Sequence, residues 1–226
     1  QRQMCIRDSL SMDAGGCVAY GYDRLQCYQP RTFFSSLDLG CIGWGYGIAL
    51  GAKIGKPDCP VVSINGDGGY LFHAREIATA VQHDIPVVSI VMNNNAWGSE
   101  KVYQRDLYQG RYVGADITNP RFDKLAKLFG GDGYYIEHPD SIGDTIAKAL
   151  ASGNPSVIEI PVDPEQLPAS AQSQHPNTKT TPQNHTRQQK KPTTTKHKTK
   201  KNTTQQKKQK IQKKKKINKR INKKYN

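Results

Sequence analysis

No apolar run in this chain is long enough to cross a membrane as a helix. The opening QRQMCIRDS lacks the apolar core of a secretory signal. Cysteine is scarce: Cys5, Cys17, Cys27, Cys41 and Cys59 are scattered, odd in number, and form no C-x-x-C pair. A complete disulfide framework is therefore excluded, zinc-ligand spacing is absent, and a reducing cytoplasm is the expected home. No Ser-His-Asp arrangement stands out. GWGYG (43–47) lacks the preceding strand and the spacing of a nucleotide-binding glycine motif.

Acidic residues are missing from one long stretch. From Ala169 to Asn226 the chain holds 17 Lys and 2 Arg of its 33 basic residues, and none of its 19 acidic ones. The remainder carries 14 basic against 19 acidic residues, so the formal charge of +14 belongs to the tail and the rest is net −5. With almost no apolar residues, the tail is expected to be disordered. Its Lys, Asn, Gln, Thr, Ile and Tyr are also what adenine-rich DNA encodes, so non-native sequence is one reading, and a native solubilising tail is a second. A nucleic-acid-binding arm is another, since lysine runs neutralise phosphates, but no aromatics are interleaved to stack on bases. Residues 1–9 look equally foreign: MCIRDS resembles a segment recurring in unrelated metagenome-derived sequences, and a non-native or disordered leader is expected. Residues 10–168 are long enough to bury one ordinary core.

That middle segment alternates. Gly43 to Ile54 reads as a small-residue helix. PVVSIN (60–65) and PVVSIVMN (86–93) read as buried strands, being short, continuous and β-branched. Phe72 to Gln82 fits a helix. NPRFDKLAKLFG (119–130) predicts a helix with an Asn cap, Pro in the first turn and Gly at its end. GYYIEH, PDSIGDTIAKALAS and PSVIEIPV (155–162) supply a strand, a helix with an Asp or Ser cap, and a last strand. The expected fold is α/β: a doubly wound, mostly parallel sheet with helices on both faces. In such sheets ligands bind beyond the carboxyl ends of strands, at a topological switch point.

Two such ends carry unusual residues. In NGDGG, Gly66, Gly68 and Gly69 suit a tight turn with positive φ, and a helix starting near Tyr70 would offer free N–H groups to a phosphate. Asp67 would repel that phosphate unless a hard divalent cation lay between them. Mg²⁺ takes about six oxygens at roughly 2.1 Å, shared among protein, phosphate and water. Asn94 follows Asp67 by 27 positions, the length of a helix plus a return strand, so the two ends meet. Asn94 would add an amide oxygen and Ala96 a backbone carbonyl. Either half alone reads as an ordinary turn or loop; the spacing and strand context join them.

G-D-G followed by N-N in this way resembles the thiamin diphosphate-binding motif. The stretch PRTFFSSLDLGCIGWGYGIALGAKIGKPDCPVVSINGDGGYLF is similar to the diphosphate-binding domain of the acetolactate synthase and pyruvate decarboxylase superfamily, and the likeness runs from about residue 10 to 165. It implies thiamin diphosphate and Mg²⁺ as cofactors, with Asp67, Asn94 and the Ala96 carbonyl as metal ligands. It implies that Ile42 in GCIG bends the cofactor into a V and that the Gly40 carbonyl accepts a hydrogen bond from its 4′-amine. It implies Gly66, Gly68, Gly69 and Gly98 as the further cofactor contacts. It also implies a glutamate supplied by the pyrimidine-binding domain of a partner subunit, in a homodimer or tetramer. Family chains exceed 500 residues, so this chain is expected to be a C-terminal fragment, inactive alone.

Glu100, six residues after Asn94, stands where the pyruvate decarboxylase branch carries an acid that contacts the reacting intermediate. The plainer alternative is a solvated charge paired with Lys101 or Arg105. The run WGSEK…QRDLYQGRYVG (97–114) is similar to the sulfoacetaldehyde acetyltransferase branch, which makes that activity the alternative to a 2-oxo acid decarboxylase or carboligase. A non-enzymatic, basic-tailed nucleic-acid-binding protein is the third reading. His73 is expected on a helix surface, and Trp97 as packing near the mouth of the site.

Overall fold

The two runs of β-branched residues become the centre of a parallel sheet. The computed structural model describes residues 8–36 and 39–164. These all belong to the first of the two units into which the chain divides, Gln1–Lys179 and Thr180–Asn226. The basic tail and residues 1–7 of the expected leader lie outside the described residues. The strands are β1 (Ser9–Met12), β2 (Phe33–Ser35), β3 (Val61–Gly66), β4 (Val88–Asn93), β5 (Asp132–Tyr135) and β6 (Ser156–Pro161). They form one sheet in the order β2-β1-β3-β4-β6-β5, every pair parallel. The first strand begins at Ser9, the last residue of the expected leader, which pairs with Val61.

The helices are α1 (Gly16–Arg24), α2 (Gly45–Gly55), α3 (Asp67–His73), α4 (Glu76–Gln82), α5 (Gly98–Leu107), α6 (Phe122–Leu128) and α7 (Ile142–Ser152), the last preceded by a 3₁₀ turn at Pro139–Ser141. Alternation along the strands sends neighbours to opposite faces. Val61, Val91 and Val157 pack with Tyr46, Tyr70, Ile77 and Phe122 from four helices. Val62, Val88, Ile90 and Ile158 pack with Ile146 and Ala149 of α7 on the other side. Both faces are covered, as an all-parallel sheet requires.

Four sequence expectations need correction. The single helix over 72–82 is broken at Ala74–Arg75 into α3 and α4. Its first half starts at Asp67 rather than near Tyr70, so the glycines sit inside the first turn. Asn119 does not cap the helix that follows it: the residue before α6 is Arg121, without a side-chain cap bond. The α6 N-terminus is held instead by Glu159 of β6, whose carboxylate accepts the Phe122 N–H at 2.8 Å and the Asp123 N–H at 3.5 Å. Ser141 precedes α7, but neither it nor Asp140 makes a side-chain cap bond there.

The sheet also has a buried polar row. Ser11, Ser63 and Ser89 pair across β1, β3 and β4, and all three are fully buried. The Asn65 amide donates to Ser63 and Ser89 at 3.0 Å, and Ser11 donates to the Gly45 carbonyl at 2.8 Å. These bonds satisfy the row and tie the start of α2 close to the sheet.

Candidate functional site

Strand order reverses between β1 and β3, since β2 lies to one side of β1 and all later strands to the other. The residues just past these carboxyl ends are Asp13 and Asp67, and Gly66 pairs with Met92, the residue before Asn93. One open cleft occupies this point. Of the sequence-derived site residues it gathers Ile42, Gly66, Asp67, Gly68, Gly69, Asn94, Ala96, Gly98 and Glu100. Gly40 does not line it; it sits two residues before Ile42 with a φ of 61°, its N–H bonded to the Ser36 carbonyl at 2.7 Å.

Positive φ is not why the NGDGG glycines are there, contrary to expectation: Gly66, Gly68 and Gly69 all have negative φ. Crowding explains two of them. A Cβ on Gly68 would stand 2.4 Å from the Trp97 ring, and one on Gly69 would stand 2.2 Å from the Asp13 carboxylate. Bare backbone therefore faces the cleft where α3 begins. Trp97 lines the mouth, packed against Gly68 and, at 6.1 Å between ring centroids, against Phe72. Ile42 is 40% exposed there.

The three asparagines do three different things. Asn93 is buried and its amide donates to Glu159 at 2.9 Å. Asn94 lines the cleft, and its Oδ1 accepts the Ala96 N–H at 3.1 Å. Asn95 turns the chain with a left-handed φ of 53°, which Asn tolerates well. The loop is clamped from outside: Ala96 bridges Asp116, Trp97 donates to the Ala115 carbonyl at 2.7 Å, and Ile117 donates to the Asn95 carbonyl at 2.9 Å. Buried Lys101 pairs with Asp116 at 3.2 Å rather than with Glu100, and Arg105 pairs with Asp106. Glu100 is an exposed residue of the cleft wall in the first turn of α5.

Asp67 is 2% exposed. Burial raises its carboxyl above the ordinary range, opposed by the Gly68 N–H, the Asn119 amide, and the Ala96 and Asn95 N–H groups. Among the described residues no group of three or more His, Cys, Asp or Glu could hold a metal. A cation at Asp67 must then complete its shell from neutral oxygens and from an anion. That donor set, with glycine backbone opposite it, fits a hard divalent ion shared with a phosphate and does not fit a soft metal.

Asp13 is the residue that sequence reasoning missed. It is fully buried, and its carboxylate accepts N–H groups from Ala14, Gly43 and Trp44 at 2.9–3.2 Å. Burial raises its pKa, and those backbone donors oppose the rise. It fastens the turn carrying Ile42 to the end of β1. Cys17 lies on the cleft wall, where burial, then the Asp13 charge, pushes its thiol up to about 12. His73 faces the Gly43 turn, with its buried Nδ1 unpartnered among the described residues, and does not line the cleft.

Residues 13–160 match the sequence profile described as "Thiamine pyrophosphate enzyme, C-terminal TPP binding domain". A sulfoacetaldehyde acetyltransferase of Alcaligenes xylosoxydans xylosoxydans is 34% identical over 164 residues, covering 71% of this chain and 27% of that protein. A probable acetolactate synthase large subunit of Methanocaldococcus jannaschii is 40% identical over 146 residues, covering 62% and 24%. Among solved structures, benzoylformate decarboxylase from Polynucleobacter necessarius superposes with a TM-score of 0.64 at 25% identity, covering 72% of this chain and 31% of that one. The chain thus spans about a quarter of the length of the curated relatives it matches.

Proposed function

The chain belongs to the thiamine pyrophosphate enzyme family through its C-terminal TPP-binding domain, and on that premise we propose that it is the diphosphate- and Mg²⁺-holding domain of a 2-oxo acid decarboxylase or carboligase of the acetolactate synthase kind. The observation that carries the reading is the meeting of Asp67, Asn94 and Ala96 in one glycine-walled cleft at the β1/β3 switch point. Asp67 supplies the charged ligand, and Asn94 Oδ1 and the Ala96 carbonyl the neutral ones. The first-turn N–H groups of α3 and the bare backbone of Gly68 and Gly69 receive the diphosphate, with Gly98 at the start of α5 on the far wall. Ile42 is the aliphatic prop that orients the cofactor rings, and the Gly40 carbonyl is the acceptor for the aminopyrimidine. Thiamin diphosphate, when bound, supplies the electron sink that a 2-oxo acid needs to release CO₂. Glu100, on the solvent side of the same wall, holds or delivers a proton at the substrate.

A pyrimidine-binding domain of a partner subunit, in a homodimer or tetramer, contributes the glutamate that activates the cofactor. The chain alone is accordingly expected to bind cofactor without turning over 2-oxo acid. A reducing, cytoplasmic setting agrees with the free thiols of Cys17, Cys41 and Cys59.

A second reading, a sulfoacetaldehyde acetyltransferase-like enzyme, is favoured by the run 97–114. This run folds as a unit: Gln104 of α5 donates to the Val113 carbonyl at 3.1 Å and accepts the Val113 N–H at 2.6 Å. The acetyltransferase relative noted above has the same bearing. Both readings need the same cofactor site.

Calorimetric titration of thiamin diphosphate into the chain, with and without Mg²⁺, tests the site. Binding that requires Mg²⁺ and is lost in Asp67→Ala supports it; equal affinity in wild type and Asp67→Ala contradicts it.

A further inference from the structure

The side chain of Asn119 reaches Asp67 from outside the motif that marks the metal site. Its Nδ2 lies 2.7 Å from Asp67 Oδ2, 2.9 Å from Asn93 Oδ1 and 3.3 Å from Asn95 Oδ1. Its own Oδ1 is buried without a hydrogen-bond partner among the described residues. Fifty-two positions separate Asn119 from Asp67, so the fold, not local sequence, brings them together. The chain of contacts continues inward: the Asn93 amide donates to Glu159 Oε1 at 2.9 Å, and Glu159 Oε2 holds the start of α6 and lies 3.4 Å from Arg121. Glu159, Asn93, Asn119 and Asp67 thus form one line from β6 through β4 to the start of α3.

We propose that Asn119 is a positioning residue of the metal site, fixing the Asp67 carboxylate through a neutral amide braced by Asn93 and Glu159. The inference rests on the cofactor reading above. A neutral donor suits the task. A Lys or Arg at this place would neutralise Asp67 and compete with a divalent cation, whereas an amide orients the carboxylate and leaves its charge available. Ligating carboxylates are commonly held by such hydrogen bonds. Asn119 is itself well fixed. Pro120 restricts its backbone to extended conformations, and α6, three residues on, is anchored by Glu159.

The test measures Mn²⁺ uptake by electron paramagnetic resonance in the full chain with thiamin diphosphate present. Wild type, Asn119→Ala, the near-isosteric Asn119→Leu and Asp67→Ala are compared, with circular dichroism melts in metal-free buffer to establish that each is folded. Loss of such an outer partner typically weakens metal binding by about 10–100-fold. The expected result is that fall in both Asn119 variants, with metal-free melting close to wild type and binding abolished in Asp67→Ala. Wild-type Mn²⁺ affinity in folded Asn119→Ala and Asn119→Leu, with Asp67→Ala inactive in binding, overturns the inference and leaves the cofactor site intact. Wild-type affinity in Asp67→Ala, or no uptake by the wild type itself, overturns both.

Discussion

Both oxygens of the Asp13 carboxylate accept the Gly43 N–H, each at 2.9 Å, across 30 residues. This contact ties the end of β1 to the turn that presents Ile42 to the cleft. Asp13→Ala would leave the Gly43 and Trp44 N–H groups buried and unsatisfied, at about 1–3 kcal/mol per group. A loss of roughly 3 kcal/mol and a fall in Tm of about 6–12 °C are expected from calorimetry. Folded Asp13→Ala protein should also bind thiamin diphosphate more weakly, because the Ile42 turn is no longer held. An unchanged Tm would show that the contact stabilises nothing.

Gly68 faces the Trp97 ring too closely for any side chain. Gly68→Ala is therefore expected to cost about 1–3 kcal/mol, the usual range for overpacking. The double variant Gly68→Ala/Trp97→Leu should recover part of that loss, since the two sites share one contact. Denaturant melts of the four proteins in the cycle read this out. Strict additivity would place the damage elsewhere.

Stability should fall on the alkaline side through Cys17. Its folded pKa is raised from 9.0 to about 12. The unfolded thiol ionises first, so the folded state holds the extra proton between these values. The contribution is full below pH 9 and is lost as pH rises toward 12, with a slope of about 1.4 kcal/mol per pH unit for one proton. Tyr46 and Tyr70, also raised by burial, add to the slope. Unfolding free energies from pH 8 to 11 should therefore fall less steeply in Cys17→Ala than in wild type.

On the proposed reading, a substitution at Glu100 should separate catalysis from cofactor binding. In the complete enzyme Glu100→Gln should lower kcat by about 10²–10⁴-fold, the usual yield of positioned acid–base catalysis, with thiamin diphosphate affinity unchanged. Steady-state kinetics beside a cofactor titration decide it. An unaltered kcat would return Glu100 to the role of a solvated charge.

Much of the sheet was legible because β3 and β4 are continuous β-branched runs, a pattern that buried parallel strands impose. Asp67 and Asn94 were legible because a helical segment, here split into α3 and α4, and the return strand β4 fix their separation. β1 escaped notice because SLSM carries the buried serines Ser9 and Ser11, which look like loop residues until Ser63 and Ser89 appear beside them. Asp13 went with it, although MDAGG repeats the strand-Asp-glycine pattern of NGDGG and could have pointed to it. Asn119 reads as a cap in the sequence because caps are local, whereas its partners Asp67 and Asn93 lie 52 and 26 positions away. The division of work among Asn93, Asn94 and Asn95 depends on which way each side chain turns, and a run of identical residues cannot show that.

The central claim is that Asp67, Asn94 and the Ala96 carbonyl hold a divalent cation against a diphosphate. A crystal grown with thiamin diphosphate and Mn²⁺ tests it most directly, through the manganese anomalous signal. The account predicts one peak within about 2.0–2.4 Å of an Asp67 carboxylate oxygen, Asn94 Oδ1 and the Ala96 carbonyl oxygen, close to octahedral ligand distances. A peak on the Asn93–Asn119 side of Asp67, or bound diphosphate with no metal between it and Asp67, would contradict it.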